Sequence, residues 1–461
     1  MNKKLSIFSL AMLIIAAIDS IRNLPMAALF GSSLIFFFLL AAILFLFPVA
    51  LVSAQLTSTY QDKGGIYHWV NLAFGHRFAM LAIWLQWINT MIWYPTILSF
   101  LAGSIAYLID PALANHQAYM AAMIVMLFWL LTLLSFKGIH FSAKISSILA
   151  TFGTVIPLFL VIILGAIWVI SGQSIPIKFS FTQMLPHFTS MDNFVSLTAI
   201  MASYLGMELA GVHINDVKNP QKNFPKVLLF SASFILFTML FGSLSIALVI
   251  PEKEISLVSG VLQYFSAIFD QFHLANLIPL VVLSIVIGGI GGMFNWLTSP
   301  AKGLLHAAEF GYLPACFTKQ NSKAVPVNIM LLQGLIVTLT CFLFLFVPSV
   351  NAFYWFLTVL STNLYMLMYV LLFLSAMKLN RKEAFKNASF KISKSPKGLT
   401  VTAMIGLLGC LVTIFVGFFP APELQIENKL GYFLAMLFGM ISMSALSGLF
   451  FFYKERFNSK L

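Results

Sequence analysis

The chain is a succession of apolar runs, each closed by a short cluster of glycine, proline, polar or basic positions. A helix needs about 20 apolar residues to cross the hydrocarbon core of a bilayer. Read at that length, the pattern predicts spans near 5–30, 33–57, 78–108, 118–136, 143–170, 193–214, 226–250, 276–301, 327–347, 351–377, 399–419 and 431–453. Twelve spans bring both ends to one side of the membrane. The longest polar intervals, 171–192 and 379–398, are too short for a soluble domain. The expected fold is an all-α polytopic membrane protein made of a single domain, 1–461.

Two spans depart from the pattern. The first is broken in its middle by Ile18-Asp19-Ser20-Ile21-Arg22-Asn23-Leu24-Pro25. A charged side chain at the bilayer centre costs about 2.5 to 3.5 kcal/mol, so Asp19 and Arg22 mark a functional site. Pro25 removes a backbone donor and disfavours helix at Leu24, which frees polar groups that a cavity, a neighbouring helix or a ligand must satisfy. Span 6 is interrupted at Ser203-Tyr204-Leu205-Gly206-Met207-Glu208, followed by His213 and the loop from Asn215 to Pro220.

The two breaks lie five spans apart. Because five is odd, a repeat of spans 1–5 (1–170) returns inverted as spans 6–10 (193–377), leaving spans 11 and 12 (399–453) peripheral. Inverted repeats set their broken helices face to face at the midplane, where half-helix N-termini attract carboxylates and unwound carbonyls attract amines or cations. An amino acid carries both groups.

Composition agrees with the membrane reading: 60% of residues are hydrophobic and 9% charged, with a mean hydropathy of +0.97, too apolar to cover a soluble globule. The net charge of +12 is topological and not a nucleic-acid patch. The basic residues follow the loops, with only Lys178, Lys253 and Lys429 on the side opposite the termini and Arg22 inside a span. Positive charge gathers on the cytoplasmic side, which places both termini there.

Cys316, Cys341 and Cys410 are too scattered for a disulfide framework or a zinc site. Lys3-Lys4 ahead of an apolar stretch looks like a signal peptide, but no small-residue cleavage site precedes Asp19, so the segment reads as the retained start of span 1. The sequon Asn387-Ala388-Ser389 falls in a cytoplasmic loop and carries no weight. A phosphate-binding glycine loop, a dinucleotide fingerprint and an HExxH pair are all lacking from the sequence. The expectation is a secondary transporter, neither an enzyme nor a cofactor or metal binder. A polytopic receptor is a remote alternative that needs a sensor domain.

Glu208 is the candidate for proton coupling, because it sits mid-span beside Gly206 with no lysine or arginine within a helical turn. The competing reading is a structural carboxylate that ties down the unwound backbone. Arg22 either pairs with Asp19 one turn earlier as an intramembrane ion pair, or faces the vestibule and grips an anion with its planar fork.

Substrate-binding candidates at the breaks are Arg22, Asn23, Tyr204 and Gly206. From the surrounding spans come Asn89 and Trp93, with Tyr94, in span 3; Asn295, with Trp296, in span 8; and Thr362, with Asn363 and Tyr365, in span 10. Gly288-Gly289 and Gly291-Gly292 allow close helix approach, for packing or for sliding. His213 reads as a structural hydrogen bonder.

Several short stretches, taken in order, are specific. They are Phe47-Pro48-Val49-Ala50 with Ala54-Gln55, Gly64-Gly65-Ile66-Tyr67-His68-Trp69, Ser203 to Glu208, His213-Ile214-Asn215-Asp216 with Asn219-Pro220 and Pro225, Ser299-Pro300-Ala301-Lys302-Gly303, and Val325-Pro326-Val327. In these the chain resembles the amino acid-polyamine-organocation superfamily, and within it the bacterial glutamate/gamma-aminobutyrate antiporter group, over nearly all of its length. The resemblance implies a leucine-transporter-type fold, alternating access in the bacterial inner membrane and an amino-acid substrate, with protons as the candidate coupling ion. It also implies that Glu208 matches the span 6 glutamate which the family links to pH or substrate coupling.

Two departures stand out: Gly292 takes the place of an acid in span 8, and Arg22 that of an aromatic residue. No long tail follows Tyr453, so transport is expected to persist near neutral pH. Exchange and proton-coupled symport both fit the sequence, and the substrate and the oligomeric state are left open by it.

Overall fold

A computed structural model describes residues 7–60, 65–137, 153, 155–185, 194–209, 219–309, 311–346, 349–381, 390–424, 426–449, 452 and 454. Among them the regular structure is helical throughout, as a bilayer demands of any chain that must satisfy its own backbone groups. Eight helical stretches are long and apolar enough to cross a membrane, and Ile156–Ile170, Val195–Leu209 and Lys429–Ala445 are shorter apolar helices. The protein is a multi-pass membrane protein.

The first span is broken where its sequence predicts. Helix α1 (Ile7–Ile18) ends, Ser20 is extended at φ −135 and ψ 116, a 3₁₀ turn covers Ile21–Asn23, and α2 (Leu24–Ala28) restarts with Pro25 in its first turn. Proline is suited to that position because its missing N–H would have had no intrahelical partner. The next span is α3 (Leu34–Ala41), a π turn at Ala42–Leu46 and α4 (Phe47–Thr59). The widened turn lies just before Pro48, where a regular ladder would lack a donor.

Two helices of 9 and 12 residues escaped the span pattern. α5 (Ile66–Phe74) precedes α6 (His76–Ile109), and α11 (Gly260–Gln271) lies between α10 (Pro220–Val249) and α12 (Ile278–Glu309). Both are too short to cross a bilayer, so a reading at membrane length averages them into their flanks. A Cβ at Gly260 would lie 2.8 Å from Pro25 Cβ, so the glycine lets α11 rest directly on the restart of the broken first span.

The other helices of eight or more residues are α7 (Gln117–Ser135), α8 (Ile156–Ile170), α9 (Val195–Ala202), α13 (Val327–Phe342), α14 (Val350–Leu379), α15 (Pro396–Val416) and α16 (Lys429–Ala445). Residues 143–152 at the start of the predicted fifth span, and 210–218 with His213, lie outside the described residues. At the centre α6 packs against both α14 and α12, and α10 packs against α1 and α2. Those contacts bring the two breaks and three long helices around one space.

Candidate functional site

That space is a cavity of about 90 Å³. The first break contributes Asp19, Ser20, Arg22 and Asn23 to its wall, and the second contributes Ala202 and Leu205. Asn89, Trp93 and Ile97 come from one face of α6, at the four-residue spacing that aligns side chains along a helix. Gly288, Gly289, Gly292 and Trp296 line it from α12, and Ser361 with Tyr365 from α14. A Cβ at Gly292 would meet nothing within 4 Å, so that wall is open space. At Gly288, by contrast, the backbone lies against that of Gly153, and any side chain would collide with it.

Asp19 and Arg22 do not form the ion pair that their spacing suggests. The extended Ser20 interrupts the helix between them, so the neighbourhood that a continuous helix gives residues three apart is lost. Arg22 is buried and turns to α6 and α14: Nη1 donates to Thr96 Oγ1 at 3.1 Å and to the Tyr354 hydroxyl at 3.3 Å. Its guanidinium lies 4.9 Å from the centre of the Trp93 ring, within range of a cation–π attraction, and Trp93 packs on Trp296 at 5.1 Å. Nε has no hydrogen-bond partner.

Asp19 is 2% exposed. Its Oδ2 accepts from the Thr238 hydroxyl of α10 at 2.7 Å, and its Oδ1 has no partner. The cavity wall therefore holds an acid and a base that are not joined to each other.

Glu208 is also buried, behind the wall and not in it. Its Oε1 accepts from the Tyr365 hydroxyl at 2.6 Å and from Gln86 Nε2 at 3.4 Å, and its Oε2 accepts from the Tyr369 hydroxyl. Tyr369 in turn accepts the Gly206 N–H at 2.8 Å. Gly206 has a φ of +110, a conformation that favours glycine. Tyr365 both lines the cavity and holds Glu208, and so connects the two.

Several other candidates are placed differently from their sequence reading. Tyr204 is outside the cavity wall, its hydroxyl donating to the Phe38 carbonyl at 3.4 Å. Thr362 also misses it and bonds back to the Thr358 carbonyl at 2.7 Å, while its neighbour Ser361 faces the cavity and donates to the Asn89 carbonyl at 3.2 Å. Asn89 Nδ2 donates to the Gln86 carbonyl at 2.6 Å. Asn295 is on α12, and its side chain lies outside what the structure describes. Thr96, Thr238, Tyr354, Tyr369 and Gln86 were missed by the sequence reading. The signal for the tyrosines was their four-residue spacing, Tyr365 and Tyr369, which aligns both hydroxyls on one face of α14.

A model of the amino acid permease family matches residues 5–441. The chain belongs to that family. This amino acid permease is 37% identical over 440 residues to an uncharacterised transporter of Legionella pneumophila, covering 95% of each chain. It is 28% identical to a glutamate/gamma-aminobutyrate antiporter of Lactococcus lactis over 95% of its own length and 88% of the relative's. It is 24% identical to an aspartate/glutamate permease of the same species, over 85% of this chain and 82% of the relative. These relatives are transporters and not enzymes, so the permease is an amino-acid transporter of the amino acid-polyamine-organocation superfamily.

Proposed function

We propose that the permease is an antiporter that exchanges amino acids across a bacterial inner membrane by alternating access, with Arg22 holding a substrate carboxylate. In this reading twelve spans place both termini in the cytoplasm, and 1–170 and 193–377 form the inverted pair around the cavity, with 399–453 outside it. The observation that carries the reading is Arg22. It is a buried guanidinium, free of any acidic partner among the described residues and fixed by Thr96, Tyr354 and Trp93 at the wall of a cavity that both broken helices share. A fork held in that way is suited to a carboxylate. The names of the Lactococcus relatives point to acidic amino acids and gamma-aminobutyrate as the first substrates to try.

A proton-coupled symporter is the second reading, favoured by the hydrogen bond from cavity-lining Tyr365 to Glu208. Counterflow separates the two: proteoliposomes loaded with an amino-acid mixture should take up labelled glutamate or gamma-aminobutyrate far faster than empty ones. Equal accumulation in empty vesicles under a proton gradient would favour symport. A charge-assisted hydrogen bond is worth about 1.5 to 3 kcal/mol, so Arg22→Ala should weaken apparent affinity about tenfold to a hundredfold. Arg22→Lys, a point charge without the fork, should recover part of it. Affinity unchanged in Arg22→Ala would remove Arg22 from the site.

A further inference from the structure

We infer that Asp19 is the amine-recognition residue of the cavity, so that the site selects a ligand carrying a cationic amine together with a carboxylate. The inference rests on the substrate site proposed above and adds its second pole. Asp19 is 2% exposed and belongs to the wall. The Thr238 hydroxyl fixes Oδ2 at 2.7 Å, which leaves Oδ1 as an oriented acceptor with no partner. The nearest cation in sequence, Arg22, is bound elsewhere, to Thr96 and Tyr354.

A buried carboxylate without a cation is costly in a medium of low polarity, and a cation arriving with the ligand removes that cost. Asn23 and Ser20 line the same break and add neutral polar groups, not a competing positive charge. A simple anion would satisfy Arg22 and strand Asp19, and a simple amine would do the reverse. A zwitterion satisfies both. A metal ion fits less well, because no cluster of three acidic, histidine or cysteine side chains occurs among the described residues.

The test starts with thermal stabilisation of the purified wild type by each of the twenty common amino acids and gamma-aminobutyrate. The strongest stabiliser is then compared with its N-acetyl derivative and with the acid that lacks the amine. Wild type should bind both analogues at least about tenfold more weakly. Asp19→Asn should lose about the same factor for the amino acid and bind the amine-free acid with unchanged affinity. Thr238→Val, which releases Oδ2 but keeps the carboxylate, should fall between them, and it keeps the idea testable if Asp19→Asn does not fold.

An N-acetyl derivative that binds wild type as well as the parent would overturn the role of Asp19, as would an Asp19→Asn protein with normal amino-acid affinity. In either case the Arg22 site would stand. A wild type stabilised by none of the compounds would overturn the substrate site itself, and this inference with it.

Discussion

The two helix breaks each hold a buried carboxylate, and the two carboxylates are kept in opposite ways. Glu208, at the second break, is sealed behind the cavity wall and accepts from Tyr365, Tyr369 and Gln86. Asp19, at the first, is part of the wall and, among the described residues, accepts from Thr238 alone. Burial does not distinguish them, since both are almost fully enclosed. The number of satisfied lone pairs does. A carboxylate has about four acceptor sites, so Glu208 is largely occupied by its own fold and Asp19 keeps an oxygen in reserve. Under the proposed function, the second break holds its shape and the first receives the ligand.

The largest expected effect tests that contrast through stability. Glu208→Ala leaves the O–H donors of two buried tyrosines without their acceptor, each costing about 1 to 3 kcal/mol, for a total loss of about 2 to 6 kcal/mol. Asp19→Ala removes one bond and also an unpartnered oxygen, so its cost should stay below about 1 kcal/mol. Melting of the detergent-purified proteins without substrate measures both. Equal losses would erase the distinction between a framework acid and a receiving one.

Gly206→Ala should have the next largest effect. A Cβ there would make only ordinary contacts, 3.5 Å from Ile18 Cγ1 and 3.6 Å from Leu209 Cδ1, so space is not the obstacle. The obstacle is φ +110, where a side chain costs about 1 to 3 kcal/mol of backbone strain. If the second break depends on that conformation, Gly206→Ala should lower the melting temperature and loosen the Gly206 N–H bond to Tyr369. A matched Ser20→Ala at the first break, whose backbone is in the ordinary extended region, should be close to neutral. A harmless Gly206→Ala would mean that the break can rearrange freely.

The breaks were legible in the sequence for a physical reason: charge, proline and glycine are each expensive inside a bilayer helix, so each marks a place where the helix is given up. The partners of the broken segments were not. Glu208 finds Tyr365 and Tyr369 more than 150 residues away, and nothing local encodes that meeting. The phase of α14 was equally hidden. Its residues are apolar around much of the circumference and buried on most sides, so no polar stripe indicates that Ser361 and not Thr362 meets the cavity. The Asp19–Arg22 pair failed for the reason that made it interesting, because the extended Ser20 that signals a site also separates its two charges. The short helices α5 and α11 were lost to a reading tuned to membrane thickness.

Tyr365→Phe should cost less stability than Glu208→Ala or Gly206→Ala, and it is the sharpest probe of whether the two breaks communicate. The hydroxyl donates to Glu208 Oε1 at 2.6 Å and accepts from Gln86 Nε2 at 3.3 Å. Deleting it leaves Glu208 with Tyr369 and Gln86, at a cost of about 1 kcal/mol. Among the described residues, Tyr365 alone both lines the cavity and bonds through its side chain to Glu208. If protonation of Glu208 is felt by the substrate, the signal has this route. Glu208→Gln should then flatten the pH dependence of exchange between pH 5 and 8, and Tyr365→Phe should flatten it to a similar extent while substrate affinity at the optimum changes by less than about threefold. A pH profile unchanged in both variants would confine Glu208 to architecture and leave coupling, if any, to the first break. A profile flattened only in Glu208→Gln would instead place the route through Tyr369 and the Gly206 backbone, neither of which lines the cavity.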